Sequence, residues 1–541
     1  MRAEPPSGPT EPSAAPAKAA AVSGRHERLV LAVDLGTTAV KVGLVTFGGQ
    51  VLWWTQAPIT TVRDGMGAAS QDPDEWWRLI GSAVRRGLAD TATEGDAVAA
   101  LAVTGEWGST VPVDQDGRPV GPCVLYGDTR GARHAREIFG GHMQGYAARK
   151  LATWLRRSGG IPSPSGTDPV GHMLYLSRER PEVARAARWY LETVDYLTMR
   201  LTGIATASPA SMTAAWLTDN RRLDHADYDP ELVALSRVDA DKLPPLVATG
   251  SVIGPVQGRV AAELGISSRA QVVTGIPDLH STAIGAGCVR DYDGLLVIGT
   301  TDWVTCPYPG KKTDLLRQSA AVPGLSSKGY LIANNQDAAG RCLEWFRDQV
   351  LGTLPGGECW TYEQVTDLAA TAPPGSGGVL FAPWLVGERS PVDDRSARGG
   401  FHNLSVTTNA ADLARAVLEG VAFNARWLLS GVEHLTRRRL EPIRLAGGGA
   451  QSDLWCQIMA DVLDRRVERV GDPVLASLRG AALLGVMALA ELSWDEVRDL
   501  APVDRLFAPT PANRDVYDHL FAEFPGLYKS QKGMFRRLNR R

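Results

Sequence analysis

Several absences narrow this 541-residue chain before any motif is considered. Its six cysteines (Cys123, Cys288, Cys306, Cys342, Cys359 and Cys456) are scattered without C-x-x-C spacing, so neither a zinc site nor a disulfide framework is expected. No apolar run approaches the roughly 20 residues of a membrane span. The longest, Ala481 to Ala490, is short and alanine-rich and suits a buried helix. Lys and Arg number 57 against 60 Asp and Glu, a net charge of −3, with no basic excess for nucleic acid or an anionic membrane. No signal peptide is expected, and residues 1–27, rich in Ala, Pro and Ser, are expected to form a disordered tail. A cytoplasmic location follows as the expectation. Two nucleotide signatures are also missing. Gly310-Lys311-Lys312-Thr313 lacks the spacing of a P-loop, and Gly285-Ala-Gly287 starts a dinucleotide fingerprint that Arg290 breaks. No short repeat points to a solenoid or propeller.

What remains is an ordinary globular composition, 44% hydrophobic and 22% charged, in a chain long enough for two domains or more. Apolar strand-like runs alternate with amphipathic helices, the α/β pattern. Strands are expected near 98–104, 110–114, 271–276, 295–299, 378–382 and 442–446. Helices are expected after Asp72-Pro73, with Glu75 placed to complete a capping box, and over Asp412 to Leu435 and Ser452 to Leu463.

Two stretches spell nearly the same word. Leu31-Ala-Val-Asp34-Leu-Gly36-Thr37-Thr38 and Leu296-Val-Ile-Gly299-Thr300-Thr301 are each an apolar run ending in Gly-Thr-Thr and followed by a second β-leaning run. Such turns let N–H groups and hydroxyls approach a phosphate. An acid beside one implies a divalent cation, so Asp34 implies Mg²⁺. One such turn in each half suggests two related domains closing on one nucleotide. Asp278, after the strand-like run Val272 to Pro277, is either a general base or the N-cap of the next helix. Gly447-Gly448-Gly449, between a strand and a helix, offers bare backbone for a flat ligand such as adenosine.

With these motifs in order, the chain resembles the FGGY family of carbohydrate kinases, closest in pattern to its xylulokinases, within the actin/Hsp70/hexokinase superfamily. Further matches are Gln71-Asp-Pro-Asp-Glu-Trp-Trp77, Tyr126-Gly-Asp128-Thr-Arg130, Asp195-Tyr-Leu-Thr-Met-Arg-Leu-Thr-Gly203, Gly387-Glu-Arg-Ser-Pro391, Glu419-Gly-Val-Ala-Phe423 and Gly447-Gly-Gly-Ala-Gln-Ser452. The resemblance implies two ribonuclease H-like (actin-like ATPase) domains with an interdomain nucleotide and substrate cleft. The expected division is a tail at 1–27, an N-terminal domain at 28–287, a C-terminal domain at 288–510 and a helical, basic tail at 511–541. It implies ATP as phosphoryl donor, a small sugar or polyol as acceptor, and Asp278 as the catalytic base. Asp34 and Asp278 would hold Mg²⁺ through water. Gly36, Thr37, Thr38, Gly299, Thr300 and Thr301 would surround the phosphates, and Gly448, Gly449 and Ser452 the adenosine. Glu106, Trp107, Asp128 and Asp278 would contact the sugar. A homodimer is one assembly left open.

The departures bear on substrate. Glu106-Trp107-Gly108 stands where xylulokinases read Gln-Met-His, Leu279 where they carry Asn after the base, and His172 where the family has Lys. Trp107 is open to two readings, pocket wall or core. His280 and His172 read as ordinary buried histidines, Trp53 and Trp54 as a packed strand, and Lys532 to Arg541 as a solvated end. The rival functions are a sugar- and nucleotide-binding protein of the same fold with weak catalysis, which retention of Asp34 and Asp278 disfavours, and a chaperone ATPase, for which no peptide-binding domain follows.

Overall fold

The computed structural model describes residues 28–141, 146–326 and 329–539; the expected tail at 1–27 lies outside them. The first sheet is organised around the strand Leu29–Leu35, every residue of which is buried. It pairs antiparallel with Ala39–Thr46 and parallel with Val98–Gly105. Its alternation sends Leu31 and Val33 to one face, where they pack with Trp76, Ile80 and Val84 of the helix Pro73–Asp90. Val30 and Ala32 go to the other face and meet Leu478, Ala481 and Ala482 of the helix Ala476–Ala488. A strand covered on both faces reads as a continuous apolar run, and this one does.

The start of Pro73–Asp90 is capped by Asp72, which accepts the Asp74 N–H. Glu75 does not close a reciprocal box. Its carboxylate takes the Thr60 N–H and hydroxyl at 3.2 and 2.9 Å and ties the helix to the preceding loop.

The second sheet repeats the plan. Gly294–Ile298 pairs antiparallel with Asp302–Thr305 and parallel with Ile443–Ala446, which continues to Val467–Val470 and the antiparallel Val503–Phe507. The helices expected in this half run over Ala410–Thr436 and Asp453–Leu463. At the C-terminus, Arg514–Leu538 forms a helix whose Tyr517, Leu520, Phe524, Tyr528 and Phe535 recur at helical spacing and enter the second core. Of the expected solvated end at Lys532 to Arg541, Lys532, Gly533, Met534, Arg536, Arg537 and Leu538 are exposed and Phe535 alone among the described residues is buried; 540 and 541 lie outside them. Among the described residues no helix is long and apolar enough to cross a membrane.

The halves are joined by two crossing helices, Asp278–Gly285 and Ala476–Ala488. A Cβ at Gly285 would lie 1.8 Å from Ala476 O, and one at Gly480 would lie 1.7 Å from Ser281 O. Only backbone fits between these helices. Gly285→Ala or Gly480→Ala is expected to lower stability by about 3 kcal/mol or more, since the obstructing atoms are backbone and cannot rotate away. Gly81→Ala, in the helix Pro73–Asp90 with its nearest neighbour a flexible Arg85 tip at 3.4 Å, should instead stabilise by up to about 1 kcal/mol. Urea melts of the three variants check the contrast.

Candidate functional site

Three strand ends of the first sheet meet at one edge. In register, Leu35 lies beside Gly105, and Gly105 beside Pro277. With neighbouring strands about 4.8 Å apart, the next residues, Gly36, Glu106 and Asp278, emerge within roughly 10 Å of one another. Gly105 is required there, because a Cβ would sit 2.6 Å from Leu35 O.

Asp278 is the first residue of its helix, and the capping position before it is held by Pro277. Of the two roles open in the sequence, capping is thereby set aside. Asp34, 5% exposed at the end of the first strand, receives Lys41 Nζ at 3.0 Å and the Ser477 hydroxyl at 2.6 Å on one oxygen. Burial, and then the Asp34 carboxylate, push the Asp278 carboxyl up to about 7, against the opposing pull of the Leu279 N–H and the Lys41 ammonium. Lys41 itself is raised, first by Asp34.

Both Gly-Thr-Thr turns close antiparallel hairpins. Gly36 N–H donates to Ala39 O at 3.1 Å and Gly299 N–H to Thr301 O at 2.8 Å. Thr38 and Thr300 are exposed, while Gly36, Thr37, Gly299 and Thr301 are half-buried. Gln71 anchors the first turn through Thr37 O at 2.7 Å. The Ala339 and Gly340 N–H groups anchor the second through Thr300 O and Gly299 O. The triple glycine lies on this second hairpin. A Cβ at Gly447 would be 2.4 Å from Ile298 O and one at Gly449 2.5 Å from the Ile298 side chain, whereas Gly448 faces open space. Ser452 caps the helix Asp453–Leu463 by accepting the Trp455 N–H.

The wall carrying Glu106 and Trp107 is fixed from several sides. Glu106 N–H donates to Leu35 O, and the Thr193 hydroxyl donates to Glu106 O. The Gly108 and Ser109 N–H groups donate to one oxygen of Glu192 at 3.2 and 3.1 Å. Trp107 Nε1–H donates to Ser211 O at 3.1 Å, and its ring meets His280 edge-on. Half-buried, it packs on the cluster that contains Leu279. Burial, and to a smaller degree Asp278, push Glu106 up to about 7, against Ser109 close by.

Asp128, expected to contact the sugar, makes its contacts within the protein. It is 0% exposed, and its oxygens are filled by Ala69 N–H, Arg130 N–H and the Arg130 guanidinium. It positions Arg130 and the loop at Ala69. His280 and His172 are buried, bonded to Pro323 O and the Thr110 hydroxyl, as expected of core histidines. Sequence reasoning passed over Lys41, Ser477 and Glu192. Lys41 was findable, because a hairpin closed at Gly-Thr-Thr places it directly opposite Asp34. Ser477, 443 residues from Asp34, carried no local signal.

Models of the FGGY family of carbohydrate kinases match residues 29–285 (N-terminal domain) and 294–489 (C-terminal domain). The chain belongs to the FGGY family of carbohydrate kinases. It is a sugar kinase, transferring phosphate to an alcohol. It is 28% identical over 520 residues to a xylulose kinase of Staphylococcus epidermidis, covering 94% of this chain and 97% of that one. With a gluconokinase of Bacillus subtilis it shares 24% identity over 485 residues, covering 87% and 90%. A ligand-bound xylulose kinase from Lactobacillus acidophilus has the same fold, with a TM-score of 0.83 at 22% identity over 95% of this chain and 100% of that one. The two-domain actin-like architecture expected from the sequence is thus the observed one.

The raised Asp278 carboxyl makes this kinase's stability depend on pH. A folded-state pKa above the unfolded one favours folding at low pH, and the advantage is lost as pH rises through about 7. In nucleotide- and metal-free protein, Asp278→Asn should therefore match wild type near pH 4 and melt higher at pH 8, by up to a few kcal/mol. Thermal melts across that range decide it. For Trp107→Met, a side chain facing substrate predicts a 10- to 200-fold change, roughly, in relative kcat/KM among ketopentoses, tetritols and glycerol. An unchanged ranking with a lower Tm would make Trp107 core alone.

Proposed function

We propose that this kinase moves the γ-phosphoryl group of ATP to a terminal hydroxyl of a small sugar or polyol, with Asp278 as general base. The observation that carries the reading is a carboxyl held near neutrality beside Asp34, one residue past the capping position, on the edge shared with the first Gly-Thr-Thr turn. A base is most effective when its pKa lies near the working pH. Asp278 takes the hydroxyl proton as that oxygen bonds to the γ-phosphorus and the bond to the β-phosphate oxygen breaks, releasing ADP. Gly36, Thr37, Thr38, Gly299, Thr300 and Thr301 line the phosphates. The open backbone at Gly448, beside Gly449, takes the adenosine, with Ser452 holding the following helix in place.

Mg²⁺ suits this donor set. It prefers one or two carboxylates together with phosphate oxygens and water. Asp34 and Asp278 supply that pair, and among the described residues no group of three or more His, Cys, Asp or Glu forms an all-protein cage. Asp34 and Asp278 would hold the ion through water, and it would offset charge on the phosphate oxygens. Lys41 and Ser477 fix the Asp34 carboxylate for that role. Residues 28–287 would carry the sugar site and 288–510 the nucleotide site, with closure between them excluding water from ATP. The free cysteines favour a reducing compartment, the cytoplasm.

The test is ADP release over a panel of ketoses and polyols with wild type and Asp278→Asn. The variant should lose about 10²- to 10⁴-fold in kcat while ATP affinity changes only a few-fold. A variant retaining wild-type kcat on the best substrate would remove Asp278 as base.

A further inference from the structure

Glu106 is 7% exposed, and neither of its carboxylate oxygens has a hydrogen bond of normal length, the Ser109 side chain lying just close enough to oppose the rise in its pKa. Disorder of the surrounding chain is not the reason. The loop from Glu106 to Ser109 is held by Leu35 O, the Thr193 hydroxyl and the Glu192 carboxylate. The Glu106 N–H and carbonyl, the Gly108 and Ser109 N–H groups, the Trp107 ring N–H and the Ser109 hydroxyl oxygen all have partners. A buried acceptor without donors is costly, and a site made of such groups rejects ligands that leave them unpaired.

The surrounding charge is of one sign. Asp278 and Glu192 both act electrostatically on or with Glu106, and Asp195 acts on Glu192. Asp195 is 0% exposed, and its oxygens also lack partners. The cations nearby are engaged elsewhere. Lys41 is bonded to Asp34, and Arg130 to Asp128 and the Tyr175 hydroxyl. Arg63 lies beside Gly127 on an exposed hairpin, where solvent screens it.

We propose that Glu106 anchors adjacent hydroxyls at the non-reacting end of the substrate and thereby selects uncharged ketoses and polyols against sugar acids. A carboxylate only accepts, so its two oxygens require two donors, which a vicinal diol supplies. An aldonate brings a further carboxylate up to Glu106 and Asp278, both ionised at pH 8, and like charges facing each other are strongly disfavoured. A glutamine at 106, able to donate, would relieve that repulsion. The proposal rests on the kinase reading for its substrate class, but it is a statement about binding.

The experiment therefore reads turnover and binding separately. ADP release and calorimetric binding are measured at pH 8 with D-xylulose, xylitol, D-gluconate and D-xylonate, for wild type, Glu106→Gln and Glu106→Ala. In wild type the best neutral compound should exceed either acid by roughly 100-fold or more in kcat/KM and in affinity. Glu106→Gln should narrow that ratio by at least about 10-fold, chiefly through the acids' KM. Glu106→Ala should weaken the neutral compounds. Melting temperatures confirm that both variants fold. Acids handled as well as neutral compounds by wild type, or a ratio unchanged in folded Glu106→Gln, overturns the proposal. Binding of neutral compounds without ADP release would sink the kinase reading and leave this one standing. No binding of the neutral compounds overturns this one.

Discussion

The close crossing of Asp278–Gly285 and Ala476–Ala488 is the contact on which the site depends. With no side chain at Gly285 or Gly480, each helix backbone rests on a carbonyl of the other. That closeness has two chemical consequences. It sets the start of one helix, with Asp278, against the first sheet's edge, and it lets Ser477 of the other reach Asp34 at 2.6 Å. A helix from the C-terminal half of the chain thus covers the sheet of the N-terminal half and completes its acid cluster. Buried Arg479, on the same helix, extends the bridge by donating to Gly49 O and Gly285 O at 3.2 and 3.3 Å.

Around this contact the molecule accumulates carboxyl groups that a core would normally exclude. Burial raises Asp278 and Glu106 to about 7 and pushes Glu192 and Asp195 well above the usual carboxylate range. Each lowers stability when ionised, and their persistence together in one wall is what a site under functional constraint looks like. The neighbouring cations are held in separate pairs, Lys41 with Asp34 and Arg130 with Asp128, and leave the Glu106 side of the wall acidic.

The motifs that carry chemistry were legible because each is local. Gly-Thr-Thr closes a hairpin whether or not its partner is known, and both copies do so. The period-2 and period-3.6 patterns placed the strands near 98–104 and 442–446 and the helices at 410–436 and 453–463 within a residue or two. Failures came where a side chain had a distant alternative. Glu75 prefers Thr60 to its own cap, and the basic C-terminus hides an aromatic stripe that only the second core explains.

By itself, then, the sequence determined the α/β class, the paired phosphate-type turns, the kinase family and the candidate base, since all of these rest on spacing along the chain and on the two backbone periods. Tertiary structure alone decided that Ser477 joins Asp34, that Gly447 and Gly449 lie against Ile298, that Trp107 is half-buried against the cluster containing Leu279, and that Glu106 lacks a hydrogen bond of normal length. These are contacts between residues far apart in the chain. Whether a buried oxygen finds a donor depends on which backbones come close, and no local pattern encodes that.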